Sequence, residues 1–106
     1  MASVDVVKNA LLTVSKNVGH FNAMKRIPPY IVWAEDGQGD SLWADGQMQE
    51  QVITGTIDLF TKSSREPLFE KIQRALSDAE ISFRWNSTQY EEDTGLYHHE
   101  WVWEIG

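Results

Sequence analysis

Residues 96–105 read LYHHEWVWEI. Successive side chains on a strand point to opposite faces. Tyr97, His99, Trp101, Trp103 and Ile105 therefore share one side, and Leu96, His98, Glu100, Val102 and Glu104 the other. One side is apolar and the other mostly polar, the signature of a strand with one covered face. The preceding segment, Ile81 to Tyr90, reads as its hairpin partner, with EEDTG (91–95) as the turn. What remains to be found is the cover.

Two stretches have helical periodicity. In SREPLFEKIQRALSDA (64–79), Leu68, Phe69, Ile72, Ala75, Leu76 and Ala79 form an apolar stripe, with Glu70, Lys71, Arg74 and Asp78 opposite. Ser64 is placed to cap it, and Pro67 is tolerated in a first turn. In SVDVVKNALLTVSKNV (3–18), Val4, Val7, Leu11, Val14 and Val18 recur at helical spacing. Ser3 is the expected N-cap and Gly19 the expected C-terminal cap.

Between the helices lie the other strands. Pro28 and Pro29 end a connector and push Ile27 into an extended conformation, delivering Tyr30-Ile31-Val32-Trp33 into a strand. AEDGQGD (34–40) reads as a turn, Ser41-Leu42-Trp43 as a short return strand and Ala44-Asp45-Gly46 as a second turn. Residues 47–61 read as one long strand, in which Gly55 marks a bulge or a close approach. The expected fold is α+β: one domain over residues 1–106, a two-layer sandwich with a mainly antiparallel sheet of about four or five strands and two helices on one face.

Composition narrows the function. The chain has 106 residues, 42% of them apolar, and a net charge of −7. Nine basic residues are scattered, with no run longer than Lys25-Arg26. Binding along a nucleic-acid backbone requires clustered cations and is not expected here. The absence of cysteine removes disulfides, thiol catalysis and cysteine-ligated zinc. No apolar run approaches the roughly 20 residues of a membrane span. Asp5 and Lys8 interrupt the N-terminal apolar stretch, so it is not read as a signal peptide. A soluble intracellular protein is the simplest expectation. Five tryptophans are many for this length, and interfaces favour Trp, so at least one is expected at a subunit contact.

No sequence motif supplies catalytic chemistry. There is no nucleophile elbow, P-loop or dinucleotide fingerprint, and the protein is read as a non-enzyme without a cofactor. Asp36, Asp40 and Asp45 surround Gly37, Gly39 and Gly46, but even with Glu50 in range they do not match a calcium loop. They are read as a solvated turn or as a loop that orders on assembly. His98 and His99 diverge on a strand, and His98 with Glu100 is read as part of a cross-strand polar ladder rather than a metal site.

Five segments recur in a suggestive order: PPYIVW (28–33), WADGQ (43–47), TIDLFT (56–61), EPLFEKIQRAL (66–76) and LYHHEWVWEI (96–105). Together they resemble the small tail-completion proteins of long-tailed bacteriophages and prophages, the tail terminator or head-to-tail joining group. The match covers most of residues 28–105. Phe60 stands where that group usually has Tyr, the Trp content is higher, and residues 1–26 add nothing specific. The resemblance implies a structural role in the virion tail, reached from the host cytoplasm. The implied assembly is a ring, commonly of about six subunits, that closes by head-to-tail contacts between copies. Its partners would be the tail tube and the head connector. Tyr30, Trp33, Asp36, Asp40, Trp43 and Asp45 are the expected interface residues, with the 34–40 segment as a finger that meets a neighbour. The alternative is a monomeric binding module with an aromatic pocket built from residues such as Trp33, Trp43 and Trp85.

Overall fold

A computed structural model describes residues 3–39 and 52–106 in full, together with the backbone of 42–44 and 47–50. The elements are α1 (Asp5–Leu12), β1 (Val18–His20), β2 (Tyr30–Gln38), β3 (Leu42–Ala44), β4 (Gln47–Glu50), β5 (Ile53–Thr61), α2 (Pro67–Asp78), β6 (Ser82–Glu91) and β7 (Leu96–Ile105). Five strands form one sheet in the order β1-β2-β5-β7-β6, while β3 and β4 pair as a separate ribbon. Every pair in the large sheet is antiparallel except β1–β2. The fold is α+β.

The alternation in β7 predicts the core. His99, Trp101, Trp103 and Ile105 are buried. In register beside them, Ile57 lies opposite Trp101 and Trp33 opposite Ile57. These residues, with Ile31 and Leu59, form one cluster with Val7, Ala10 and Leu11 of α1 and Ile72 and Leu76 of α2. Both helices therefore cover one face of the sheet. The α2 stripe is as expected, with Leu68, Phe69, Ala75 and Ala79 flanking it.

The helix boundaries move inward. α2 is capped by Glu66, not Ser64: its carboxylate accepts the Leu68 N–H and the Thr61 hydroxyl, at 2.7 Å for the latter. Pro67 takes the first helical position, as expected. At the other end, Ile81 N–H donates to Leu76 O at 2.9 Å and Glu80 N–H to Ser77 O at 3.0 Å. This terminus puts Glu80 at φ 58°, a left-handed conformation that favours glycine. Glu80→Gly is accordingly expected to stabilise the protein by about 0.5–1 kcal/mol, read as a higher urea midpoint at unchanged slope.

α1 stops at Leu12 rather than continuing to Val18. Its N-cap is Val4, although Ser3 Oγ still accepts the Asp5 N–H at 3.1 Å. The Val14–Val18 spacing fits a helix locally, but Val18 leaves it to pair with Ile31. Gly19 is not a helix cap. It lies in β1, where an added Cβ would meet Asn22 O at 2.0 Å and Met24 N at 2.7 Å. The connector folds back tightly over Gly19, which lets a short loop join two parallel strands. Asn17 fastens that loop, donating to the Lys25 and Ile27 carbonyls and accepting the Lys25 N–H.

The 34–40 segment is the largest departure from the sequence reading. Through Gln38 it is strand, not turn, and it pairs with Ile53 to Thr56 of β5 around a bulge at Asp36. The long strand read over residues 47–61 is divided into β4 and β5. Gly55 marks a close approach: an added Cβ would lie 2.2 Å from both Ala34 O and Trp103 Cζ2. The bulge falls on the partner strand immediately beside it.

Candidate functional site

The sequence-predicted interface residues separate in the structure. Trp33 is in the core, and the His20 ring stacks on it at 4.0 Å. Tyr30 is buried on the opposite face of the sheet, stacked on Phe60 at 4.7 Å. Neither has appreciable surface to offer a neighbour within this fold. Asp36 is exposed at the bulge, where its carboxylate accepts the Thr54 hydroxyl at 2.7 Å. Trp43 lies in β3 opposite Met48. Asp40 and Asp45 fall outside the described residues. The aromatic pocket expected from Trp33, Trp43 and Trp85 is not formed by the first and last of these, because Trp33 is on β2 and Trp85 on β6, separated by β5 and β7.

What the backbone does assemble is a two-stranded arm. The β2–β5 ladder continues past the buried part of the sheet, where Asp36, Gly37 and Gln38 are exposed. Gly39 N–H donates to Val52 O at 2.8 Å, closing the ladder. Beyond it β3 and β4 pair with each other and, among the described residues, with no third strand. A two-stranded ribbon without further packing is marginal in water. Such an element gains stability when a second surface covers it.

The helix-free face carries a second constellation. Tyr30, Phe60 and His98 stack across β2, β5 and β7, with the Phe60–His98 centroids 4.3 Å apart. His98 Nε2 lies 2.6 Å from Asp58 Oδ1, and Nδ1 lies 3.5 Å from Glu91 Oε2. The neighbouring Glu100 accepts from Asn86 Nδ2 at 2.7 Å. This is the polar ladder expected of the His98–Glu100 side. Among the described residues, no group of three or more acidic or histidine side chains is placed to hold a metal ion. With a carboxylate at each ring nitrogen, His98 is suited to be a held cation rather than a general base.

The two adjacent histidines titrate in opposite senses. The hydrogen bond to Asp58 raises the His98 pKa above its ordinary 6.5, while burial lowers that of His99. The His98 pair therefore stabilises the fold fully below about pH 6.5 and is lost as the pH rises through the raised folded value. The His99 contribution is present above about pH 6.5 and is lost as the pH falls through the lowered one. In the wild type the two changes oppose each other. His98→Gln keeps only the second, so its stability is expected to fall by about 1 kcal/mol relative to wild type on going from pH 8 to pH 5.5. Urea denaturation at the two pH values checks this.

A third feature, a cleft between the start of α2 and β6, escaped the sequence reading. It holds about 580 Å³ and is lined by Phe69, Trp85, Thr88 and His99 among others. A polar residue on the apolar side of β7 was a visible signal for His99. Its partner was not visible, because the β6 bulge between Trp85 and Ser87 decides which residue faces it. Without that bulge Ser87 would lie opposite His99; with it, Thr88 does. No protein-family model matches the sequence, and no curated protein matches it.

Proposed function

We propose that this chain is a structural, non-catalytic tail component of a bacteriophage or prophage, a tail terminator or tail-completion protein. It assembles into a ring of about six copies at the head-proximal end of the tail tube and joins the tube to head-connector proteins. Its site of action is the virion tail, reached from the host cytoplasm. The observation that carries this reading is the arm. Three of the five ordered segments fall on one sheet, in β2, β5 and β7, and a fourth is α2; between β2 and β5 the chain leaves that sheet as a β3–β4 ribbon whose only pairing is internal among the described residues. A neighbouring copy would cover such a ribbon, and contact between an arm and a different surface is of the head-to-tail kind that closes rings. The net charge of −7 suits a lumen that DNA passes without adhering.

The hydrogen bond between Gly39 and Val52 allows a direct test, because it brings the two ends of the arm together. Replacing residues 40–51 by Asn-Gly, a two-residue hairpin connection, should preserve the fold and reduce self-association at least tenfold. Sedimentation velocity reads the second effect and thermal melting the first. A folded variant that associates like the wild type would remove the arm from the interface.

A further inference from the structure

One residue lining the cleft beside α2 has a buried hydrogen-bonding atom without a partner among the described residues. His99 is 6% exposed, and its Nε2 makes no hydrogen bond to the described residues. Its neighbours are compatible with a proton on that nitrogen. Trp85 Nε1–H donates to Thr88 Oγ1 at 3.1 Å and to Ser87 O at 3.0 Å. Thr88 Oγ1 lies 2.8 Å from His99 Nδ1, and a hydroxyl that accepts from Trp85 still has its own proton to donate to that nitrogen. With Nδ1 accepting, a neutral imidazole carries its proton on Nε2. Burial keeps the ring neutral near pH 7 by disfavouring a second proton. In that tautomer Nε2 is a buried N–H donor on a residue that lines the cleft, and a buried donor left without an acceptor is costly.

The rest of the lining defines what would supply the acceptor. Trp85, 51% exposed, and Phe69 meet edge to face at 6.0 Å and present apolar ring surface. Phe69 also stands edge-on to His99 at 5.0 Å. Arg65 contributes one positive charge, and Glu66 and Glu70 two negative charges. The Glu66 carboxylate is already occupied by the Thr61 hydroxyl and the Leu68 N–H. An anion would gain nothing from this charge balance. An uncharged carbonyl would meet the donor without repulsion. The volume falls within the range of small-ligand sites.

We propose that this cleft is a peptide-binding site: an apolar side chain lies against Trp85 and Phe69, and the peptide carbonyl accepts the His99 Nε2–H hydrogen bond. The proposal is independent of ring assembly, because it uses the helix-covered side of β6 rather than the arm. The occupied β3–β4 arm and the occupied cleft would be separate contacts.

The probe is N-acetylphenylalaninamide, with N-acetylphenylalanine as its carboxylate counterpart. Imidazole nitrogen NMR of the wild type should show His99 protonated on Nε2. Titration of the amide should shift that nitrogen and the Trp85 indole together, with a dissociation constant on the order of 1 mM for a ligand of about 15 non-hydrogen atoms. The carboxylate should bind roughly threefold more weakly. Thr88→Val, at an exposed strand position where a β-branched residue is well tolerated, removes the proton that fixes the tautomer and should weaken the amide about tenfold. His99 protonated on Nδ1, a titration that leaves the His99 nitrogen unmoved, or an affinity unchanged in folded Thr88→Val would each overturn the proposal. None of these outcomes bears on self-association.

Discussion

Gly55→Ala is expected to destabilise the protein by at least about 3 kcal/mol, at or beyond the upper end of ordinary overpacking. The new methyl would sit 2.2 Å from Ala34 O and 2.2–2.5 Å from two atoms of the Trp103 indole. The carbonyl belongs to the neighbouring strand and cannot turn away like a side-chain tip. The indole is also fixed, since Trp103 is 2% exposed and its Nε1–H donates to Thr56 O at 3.0 Å. Relief requires β2 and β5 to separate beside the bulge at Asp36, where the ladder is already interrupted. Urea denaturation measures the loss. In a Trp103→Ala background the penalty should be smaller, because the clash with the indole is gone and that with Ala34 O remains. Strictly additive losses would mean that the indole is not the obstacle.

Trp101→Ala should cost about 3–5 kcal/mol, a large part of the stability of a domain this size. Trp101 is fully buried on β7, in the interior of the sheet. Its Nε1–H donates to Gln73 Oε1 on α2 at 3.1 Å, and its ring meets Phe69 on the same helix at 4.9 Å. Truncation opens a cavity and removes the polar tie between sheet and helix. Trp85→Ala, at an exposed position, should cost under about 1 kcal/mol. Equal losses at the two positions would contradict this division between core and surface.

That division could not be read from composition. Alternation places Trp101 and Trp103 on one face of β7, and the helix stripe of α2 gives that face its cover. The outer end of β6 is different, since Trp85 lies on the same side of the sheet as Trp101 but on an edge strand, where cover runs out. The periodic signals therefore located β7, α2 and the one-sided sheet. Signals that rest on turn chemistry failed where tertiary pairing outweighed it. Glu35 to Gln38 have turn-forming neighbours yet extend β2, because β5 supplies partners for the backbone. Val18 fits the periodicity of α1 yet pairs with β2, because Gly19 admits the returning connector.

The candidate sites follow the same rule. The divergence of His98 and His99 is a consequence of strand geometry and was legible. Their partners were not, since Asp58 lies 40 residues from His98 and the Thr88–His99 pair depends on a bulge at Asn86. Trp33 and Tyr30 read from the sequence as interface aromatics, but Trp33 is buried beneath the helices and Tyr30 is buried against Phe60 on the helix-free face. Strand aromatics have the same sequence appearance whether they meet a neighbouring subunit or the chain's own core.

Sedimentation velocity of the wild-type protein over a wide concentration range tests the central claim most directly. Ring assembly predicts a species near six times the 12.2 kDa monomer mass that grows with concentration and is indifferent to calcium. A monomer at every concentration would contradict it.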